Sequence, residues 1–226
     1  MARNTILFDV NETVLDLSSL KLKFEAVFGD ANVAPTWFAM LLHTSTVCAL
    51  TGVETGFAKL AGTMLDTIAA RRNVDVSDSE RAEILGEFAC LKPHADIKSA
   101  LIRLRSVGYR TVAFSNSSLD LVSKQISNAG LGELYDDVIS VEETGSFKPD
   151  AKVYKFVAER LGQPLRDLRL IATHDWDTHG AMTAGMLAAY IDRSGAPYHP
   201  LYRQPDISAT DMNDVIEQII RADSLE

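Results

Sequence analysis

A carboxylate, Asp9, stands directly after the apolar run Ile6-Leu7-Phe8 and opens the polar stretch Asp9-Val10-Asn11-Glu12-Thr13. Held at the end of a buried strand against an electrophilic carbon or phosphorus, such a group can act as a nucleophile and form an ester or acyl-phosphate. Further polar groups follow later apolar runs. Ser115 and Asn116 come after Val112-Ala113-Phe114, Lys148 lies seven residues past Val141, and Asp177 follows the run Leu168 to Ala172. A hydroxyl, a lysine and two acids brought together make a hydrolytic set. Each residue also has a plainer reading. Asp9 and Asp177 can cap helices, Ser115 and Asn116 can be turn or N-cap residues, and Lys148 can be a solvated lysine. Their joint occurrence at strand ends favours the chemical reading.

Alternation of strands and helices is what would bring them together. Short buried-strand patterns at Ile6-Leu7-Phe8, Tyr109–Phe114, Asp137–Val141, Leu168–Ala172 and Leu187–Ile191 are separated by helical patterns. Those helices are read at Ile97–Val107, in a stretch running to Ala129 with Gly130 beyond it, at Ala151–Leu161 and near Thr178–Ala184. That order predicts an α/β fold with a doubly wound parallel sheet, whose strand ends share one edge. Between the first and second strands the spacing predicts four helices and no strand. They run from Ser18 to Phe28, after Pro35 through Leu42, from Gly56 to Ala70, and from a capping box of Ser77 and Glu80. Residues 1–16 and 92–226 then form the core domain, and residues 17–91 form a helical insert lying over the strand ends.

Bulk properties narrow the partners. With 22 Lys and Arg against 31 Asp and Glu, the formal net charge is −9, so no basic field exists to hold nucleic acid or an anionic membrane surface. The apolar stretches are read as falling short of the ~20 residues that span a bilayer. The start, Met1-Ala2-Arg3-Asn4, enters a strand at once, which leaves no room for a signal peptide. Two cysteines, Cys48 and Cys90, give no disulfide framework and are expected to be core residues of a protein in a reducing cytoplasm.

Four segments carry a resemblance. Asp9-Val10-Asn11-Glu12-Thr13-Val14-Leu15-Asp16, Ser115-Asn116-Ser117, Lys148-Pro149-Asp150 and Trp176-Asp177-x-x-Gly180-Ala181 are similar to the four motifs of the haloacid dehalogenase superfamily. The resemblance covers nearly the whole chain and implies a Rossmann-like core with an all-helical cap. Most members are Mg²⁺-dependent phosphatases. Two positions depart from that branch: Asn11 stands where phosphatases carry a proton-donating Asp, and Thr173 stands where they carry a metal-binding Asp. The final motif, with Trp176 before Asp177, resembles the 2-haloacid dehalogenase subfamily.

That subfamily implies metal-free displacement of halide from C2 of a small anionic 2-haloacid by Asp9, without a cofactor. Water activated by Asp177 then hydrolyses the ester to a 2-hydroxy acid. Lys148 would keep Asp9 ionised, and Asn116 would face the leaving halide. Ser115 with the backbone N–H groups of Val10 and Asn11 would hold the substrate carboxylate. The resemblance further implies a cap tryptophan, taken as Trp37, and a homodimer formed through cap helices.

Some positions differ from the subfamily. An arginine expected after the cap tryptophan is here Phe38, with His43 on the same helix as a stand-in donor. An aromatic residue and a glycine are replaced by Asn11 and Glu12, and Ala172 and His174 stand where serine and asparagine are usual. His174 is read as either a positioner of water or a structural residue. The competing readings are a Mg²⁺-dependent phosphatase with altered motifs and a non-catalytic protein on the same scaffold.

Overall fold

The computed structural model describes residues 4–224. In chain order it contains β1 (Thr5–Phe8), β2 (Leu15–Asp16), α1 (Ser18–Phe28), α2 (Val33–Thr51), α3 (Phe57–Arg72), α4 (Asp78–Glu87), β3 (Lys92–Pro93), α5 (Ile97–Ser106) and β4 (Arg110–Ser115). There follow α6 (Leu119–Asn128), β5 (Asp137–Ser140), α7 (Ala151–Leu161), β6 (Leu168–Ala172), α8 (Asp175–Ala184), β7 (Leu187–Ile191), β8 (Ile207–Ala209) and α9 (Met212–Asp223).

Six strands form one parallel sheet in the order β5-β4-β1-β6-β7-β8. β1 lies inside it, with Phe8 paired to Ala113 of β4 on one side and to Ile171 of β6 on the other. All four of its residues are buried, as an apolar run covered on both faces requires. From β1 the chain moves outward through β4 and β5, then returns to fill the other flank with β6, β7 and β8. The reversal at β1 leaves a crevice outside the strand ends, the place where open α/β sheets bind ligands. Asp9 is the first residue beyond β1, which puts it in that crevice. The doubly wound α/β architecture read from the sequence is therefore the observed one.

Between β2 and β3 lie α1 to α4. The two short strands pair antiparallel, Leu15 with Pro93 and Asp16 with Lys92, so the chain leaves and re-enters the sheet layer through one ribbon. Trp37 at the centre of the insert packs on Phe24, Phe38 and Phe88, and its indole N–H donates to Ala61 O at 3.0 Å. α4 starts as expected: Ser77 Oγ accepts from the Glu80 N–H, and the Glu80 carboxylate accepts from the Ser77 N–H.

Several expectations change. α2 begins two residues before Pro35, because a first helical turn has no use for that N–H, and it runs on to Thr51. At 19 residues without Asp, Glu, Lys or Arg, it is long and apolar enough by length and composition to cross a membrane, contrary to the reading of the apolar stretches. In this fold its buried face, including Trp37, Phe38 and Leu41, belongs to the helical insert. Cys48 is buried but Cys90 is exposed, so only the first is a core residue. β8 and α9 had no counterpart in the sequence reading, although Met212, Val215, Ile216 and Ile219 are buried at helical spacing.

Candidate active site

Lys148 is the hub. It is 1% exposed, and its ammonium donates to Asp9 Oδ1 (3.1 Å), Asp177 Oδ2 (3.0 Å) and Phe114 O (2.9 Å). The three acceptors match its three protons, and the Phe114 ring lies 4.6 Å from Nζ, so the buried charge is compensated. The loop that delivers it is tied from the side, since Asn116 Oδ1 accepts from the Lys148 N–H at 2.9 Å. Asp9, Lys148 and Asp177 thus meet across 168 residues of sequence, as expected for residues beyond neighbouring parallel strands.

The other oxygen of Asp9 is also engaged. Thr13 Oγ1 donates to Oδ2 at 2.7 Å, and His174 Nδ1 lies 3.2 Å from it. Thr13 is in turn fixed by the Thr173 N–H, which donates to its hydroxyl. Burial alone would push the Asp9 carboxyl up; the Lys148 ammonium, His174 and the Thr13 hydroxyl overcome that and hold it well below the usual carboxylate range. Burial would likewise favour a neutral His174 ring, yet hydrogen bonds to Asp9 and Glu12 push it up to about 10. His174 is therefore an imidazolium at neutral pH, with both ring nitrogens donating.

Asp177 sits in the first turn of α8, which starts at Asp175 and so earlier than expected. It is fully buried and accepts at Oδ1 from the Tyr154 hydroxyl at 2.6 Å. Burial raises its carboxyl and the charge of Asp9 adds to that, against the opposing pull of Lys148 and Tyr154. A carboxylate raised towards working pH is suited to accept a proton.

α8 can approach this closely because residue 180 has no side chain. A Cβ at Gly180 would fall 2.6 Å from Pro149 Cβ and 2.8 Å from the Tyr154 hydroxyl. Gly180→Ala is expected to cost ~1–3 kcal/mol of stability through overpacking. It should also slow turnover, by pushing Tyr154 off Asp177; thermal melting and a steady-state assay together check this.

Other residues are placed differently from the sequence reading. Trp37 is fully buried in the insert and does not face the site. Asn11 is buried beneath it, donating to Ser117 Oγ and accepting from Gln125 Nε2, so its side chain is a strut between the first motif and α6. The Val10 side chain is fully buried, whereas the part read for Val10 and Asn11 rests on their backbone N–H groups, which side-chain burial does not bear on. Ser115 Oγ accepts from the Ser117 N–H and Asn116 binds the Lys148 backbone, so both shape the loop that holds the lysine. His43 is exposed on α2 and takes no part.

Next to the site, with His174 in its wall, lies a cavity of about 470 Å³, within the ordinary range of ligand pockets. His174, Glu12, Thr173 and Phe38 are among its lining residues, with His94 and the cations Lys21 and Arg193. Asp9, Lys148 and Asp177 are not themselves in its lining, nor are Val10, Asn11, Trp37, Ser115 and Asn116; His174 and Glu12 connect it to Asp9. Thr13 and Tyr154 were not singled out from the sequence, and Glu12 was marked only as standing where a glycine is usual. Thr13 falls inside the quoted first motif, but nothing in the sequence marked Tyr154 beyond its place on the helix after Lys148-Pro149.

The residues do not fit the Mg²⁺ of superfamily phosphatases. Both Asp9 oxygens are engaged by donors, and Thr173 has no carboxylate to offer. Among the described residues no three His, Cys, Asp or Glu side chains are grouped to hold an ion.

The imidazolium of His174 also makes stability depend on pH. Its folded-state value lies above the ordinary 6.5, so its contribution is complete below about 6.5 and is lost as pH rises through about 10. Urea unfolding should show stability falling over that interval, and the fall should be smaller in His174→Asn.

A family model described as haloacid dehalogenase-like hydrolase matches residues 4–168. A relative named (S)-2-haloacid dehalogenase, from Pseudomonas putida, is 26% identical over 203 residues, covering 88% of this chain and 89% of its own. Among solved structures, L-2-haloacid dehalogenase from Xanthobacter autotrophicus with chloropropionic acid covalently bound superposes with a TM-score of 0.89. It is 21% identical, and 97% of this chain and 99% of that one are covered. The L-2-haloacid dehalogenase RSc1362 superposes at 0.93 with 23% identity, covering 97% and 100%. The structural likenesses establish the fold, and the family match spans most of the chain and three of its four motifs. On that match the chain belongs to the haloacid dehalogenase-like hydrolases.

Proposed function

We propose that this hydrolase cleaves the carbon–halide bond of a short 2-haloalkanoic acid through an ester on Asp9, without a metal ion. The observation that carries the reading is the Asp9 carboxylate, kept ionised by Lys148 at the switch point of the sheet and beside a second acid. Halide departs as a stable anion and needs no proton. Asn11, locked between Ser117 and Gln125, therefore withholds nothing the displacement requires. The same Asn11 and Thr173 weigh against a phosphatase, which needs an acid for an alkoxide and a ligand for its cation.

In the first half-reaction Asp9 attacks C2 and halide leaves. In the second, Asp177 takes a proton from water, and the resulting hydroxide adds to Asp9 Cγ. The names of the similar proteins, (S)-2-haloacid dehalogenase and L-2-haloacid dehalogenase, point to the same substrate class. Phe38 supplies no charge for the halide, and the cation nearest Asp9 on the cavity side is His174.

Halide release across a panel of 2-chloro- and 2-bromoalkanoates, with and without EDTA, tests the reading. Release that is indifferent to EDTA is expected. Release abolished by EDTA, or p-nitrophenyl phosphate hydrolysis in place of release, contradicts it.

The reading extends to a homodimer. Leu22 of α1 and Leu50 of α2 are exposed at 70% and 82%, apolar side chains on the insert that a second copy would cover. Sedimentation at micromolar concentration should give twice the chain mass; a monomer there rejects the pairing.

A further inference from the structure

Glu12 holds an uncommon conformation for its type. Its φ is +64°, in the left-handed region that disfavours residues other than glycine. Strain of this kind persists where surrounding contacts enforce it and where it serves a site. Two contacts use it: His94 Nε2 lies 2.9 Å from the Glu12 carbonyl, and His174 Nε2 lies 2.9 Å from the Glu12 carboxylate. The His174 ring is further held by stacking on Trp176, with centroids 5.0 Å apart, and by Phe38 at 6.4 Å. Its remaining nitrogen, Nδ1, is aimed at Asp9 Oδ2.

The two oxygens of Asp9 are not equivalent. Oδ1 is held by the buried Lys148, whereas Oδ2 faces His174, which lines the cavity. Of the two, Oδ2 is the oxygen in contact with a cavity-lining side chain, and we take it as the bridging oxygen of the ester. When the ester is hydrolysed at Cγ, that same oxygen departs with the product as an alkoxide. Unlike halide, an alkoxide does need a proton.

We propose that His174, oriented by Glu12, is the acid that protonates Oδ2 as it leaves Asp9 with the 2-hydroxy acid; this rests on the ester reading above. The step balances. Asp177 takes one proton from water and the hydroxide bonds to Cγ. The Cγ–Oδ2 bond then breaks, and Oδ2 takes the Nδ1 proton. Asp9, now a carboxylic acid carrying the water oxygen, returns its proton to Nδ1, and Asp177 releases the other to solvent. Glu12 is a positioning residue, since it acts only through the imidazole. The titratable and charged groups around the ring are Asp9 and Glu12 in direct contact, with Asp16, Lys21, Arg193 and His94, whose value burial and Arg193 lower, around the same cavity. In the free enzyme Asp9 and Glu12 together hold His174 protonated, and once Asp9 is an ester the Glu12 carboxylate is the partner left to hold that proton.

The test separates the two half-reactions. Wild type and His174→Asn are mixed with excess 2-chloro- or 2-bromopropionate; halide is followed in time, and the peptide containing Asp9 is weighed after quenching. The variant should release a burst of one halide per enzyme. It should then turn over roughly 10²-fold more slowly than wild type, the lower bound for a lost general acid. Its Asp9 peptide should carry the carboxyethyl adduct. The slow rate should be equal for the two halides, because both give the same ester.

A variant that hydrolyses the ester at the wild-type rate overturns the proposal. So does one that loses the burst while wild type turns over, which would place His174 in the displacement. No halide from wild type would instead remove the ester reading itself. If His174→Asn does not fold, Glu12→Gln serves: the basic limb of its ester-hydrolysis profile should move to lower pH. A limb left in place overturns the proposal.

Discussion

Replacing Asp9 by Asn is expected to lower kcat for halide release by about 10⁶-fold, the scale seen when the nucleophile of a covalent mechanism is removed. The fold should survive. Lys148 keeps Asp177 Oδ2 and Phe114 O as partners, and the carbonyl of the substituted amide can still accept from it. Lost activity with a near-normal melting temperature would place the defect in chemistry. Asp177→Asn makes the contrast. It retains the carboxylate that attacks carbon and loses the one that activates water, so it should release one halide per site and stop. Activity of more than a few per cent in Asp9→Asn would mean that a different group attacks the substrate.

Lys148→Met should damage both stability and turnover. Removing one partner from a buried charge cluster costs ~3–5 kcal/mol, because the charges left behind are uncompensated. Here two are left: Asp9 and Asp177 both face the position of the lost ammonium, at 3.1 and 3.0 Å. Two carboxylates so close cannot both stay ionised cheaply, and one will bind a proton. The melting temperature should therefore fall by roughly 10 °C for a chain of this size. Turnover should fall ~10²–10³-fold, as for one lost charge-assisted donor. The sign of the pH effect follows from the lowered value of Asp9. In wild type its contribution is lost only as pH drops well below the ordinary carboxylate range. In the variant the acid limb of activity should move to higher pH. An unchanged acid limb would mean that Lys148 does not set the ionisation of Asp9.

Much of this arrangement is legible in the amino-acid sequence. Buried parallel strands read as short apolar runs, and the residue after each run falls at one edge of the sheet, so Asp9 could be placed with Ser115, Lys148 and Asp177. The capping box at Ser77 and Glu80 was legible because both partners lie within one helical turn. Side-chain direction was not. Asn11 and Asn116 are in the right loops but point into hydrogen-bond networks that hold the loops, and Trp37 packs inward because the insert needs a core. α9 was missed, although its apolar spacing is plain once one looks beyond Ile191. Tyr154 was not singled out because its role depends on the packing of α7 against α8, a contact set by the missing side chain at Gly180. The pairing of Glu12 with His174 joins residues 162 positions apart and needed the fold to be seen.

A single-turnover reaction in H₂¹⁸O, with enzyme in excess over a 2-haloacid, bears most directly on Asp9 as the nucleophile. Hydrolysis at Cγ leaves one solvent oxygen in the Asp9 carboxylate, so the peptide containing Asp9 should gain the mass of one ¹⁸O while the 2-hydroxy acid gains none. Label in the product with none in Asp9 would mean that water attacked the substrate carbon directly, and the ester on Asp9 would have to be abandoned.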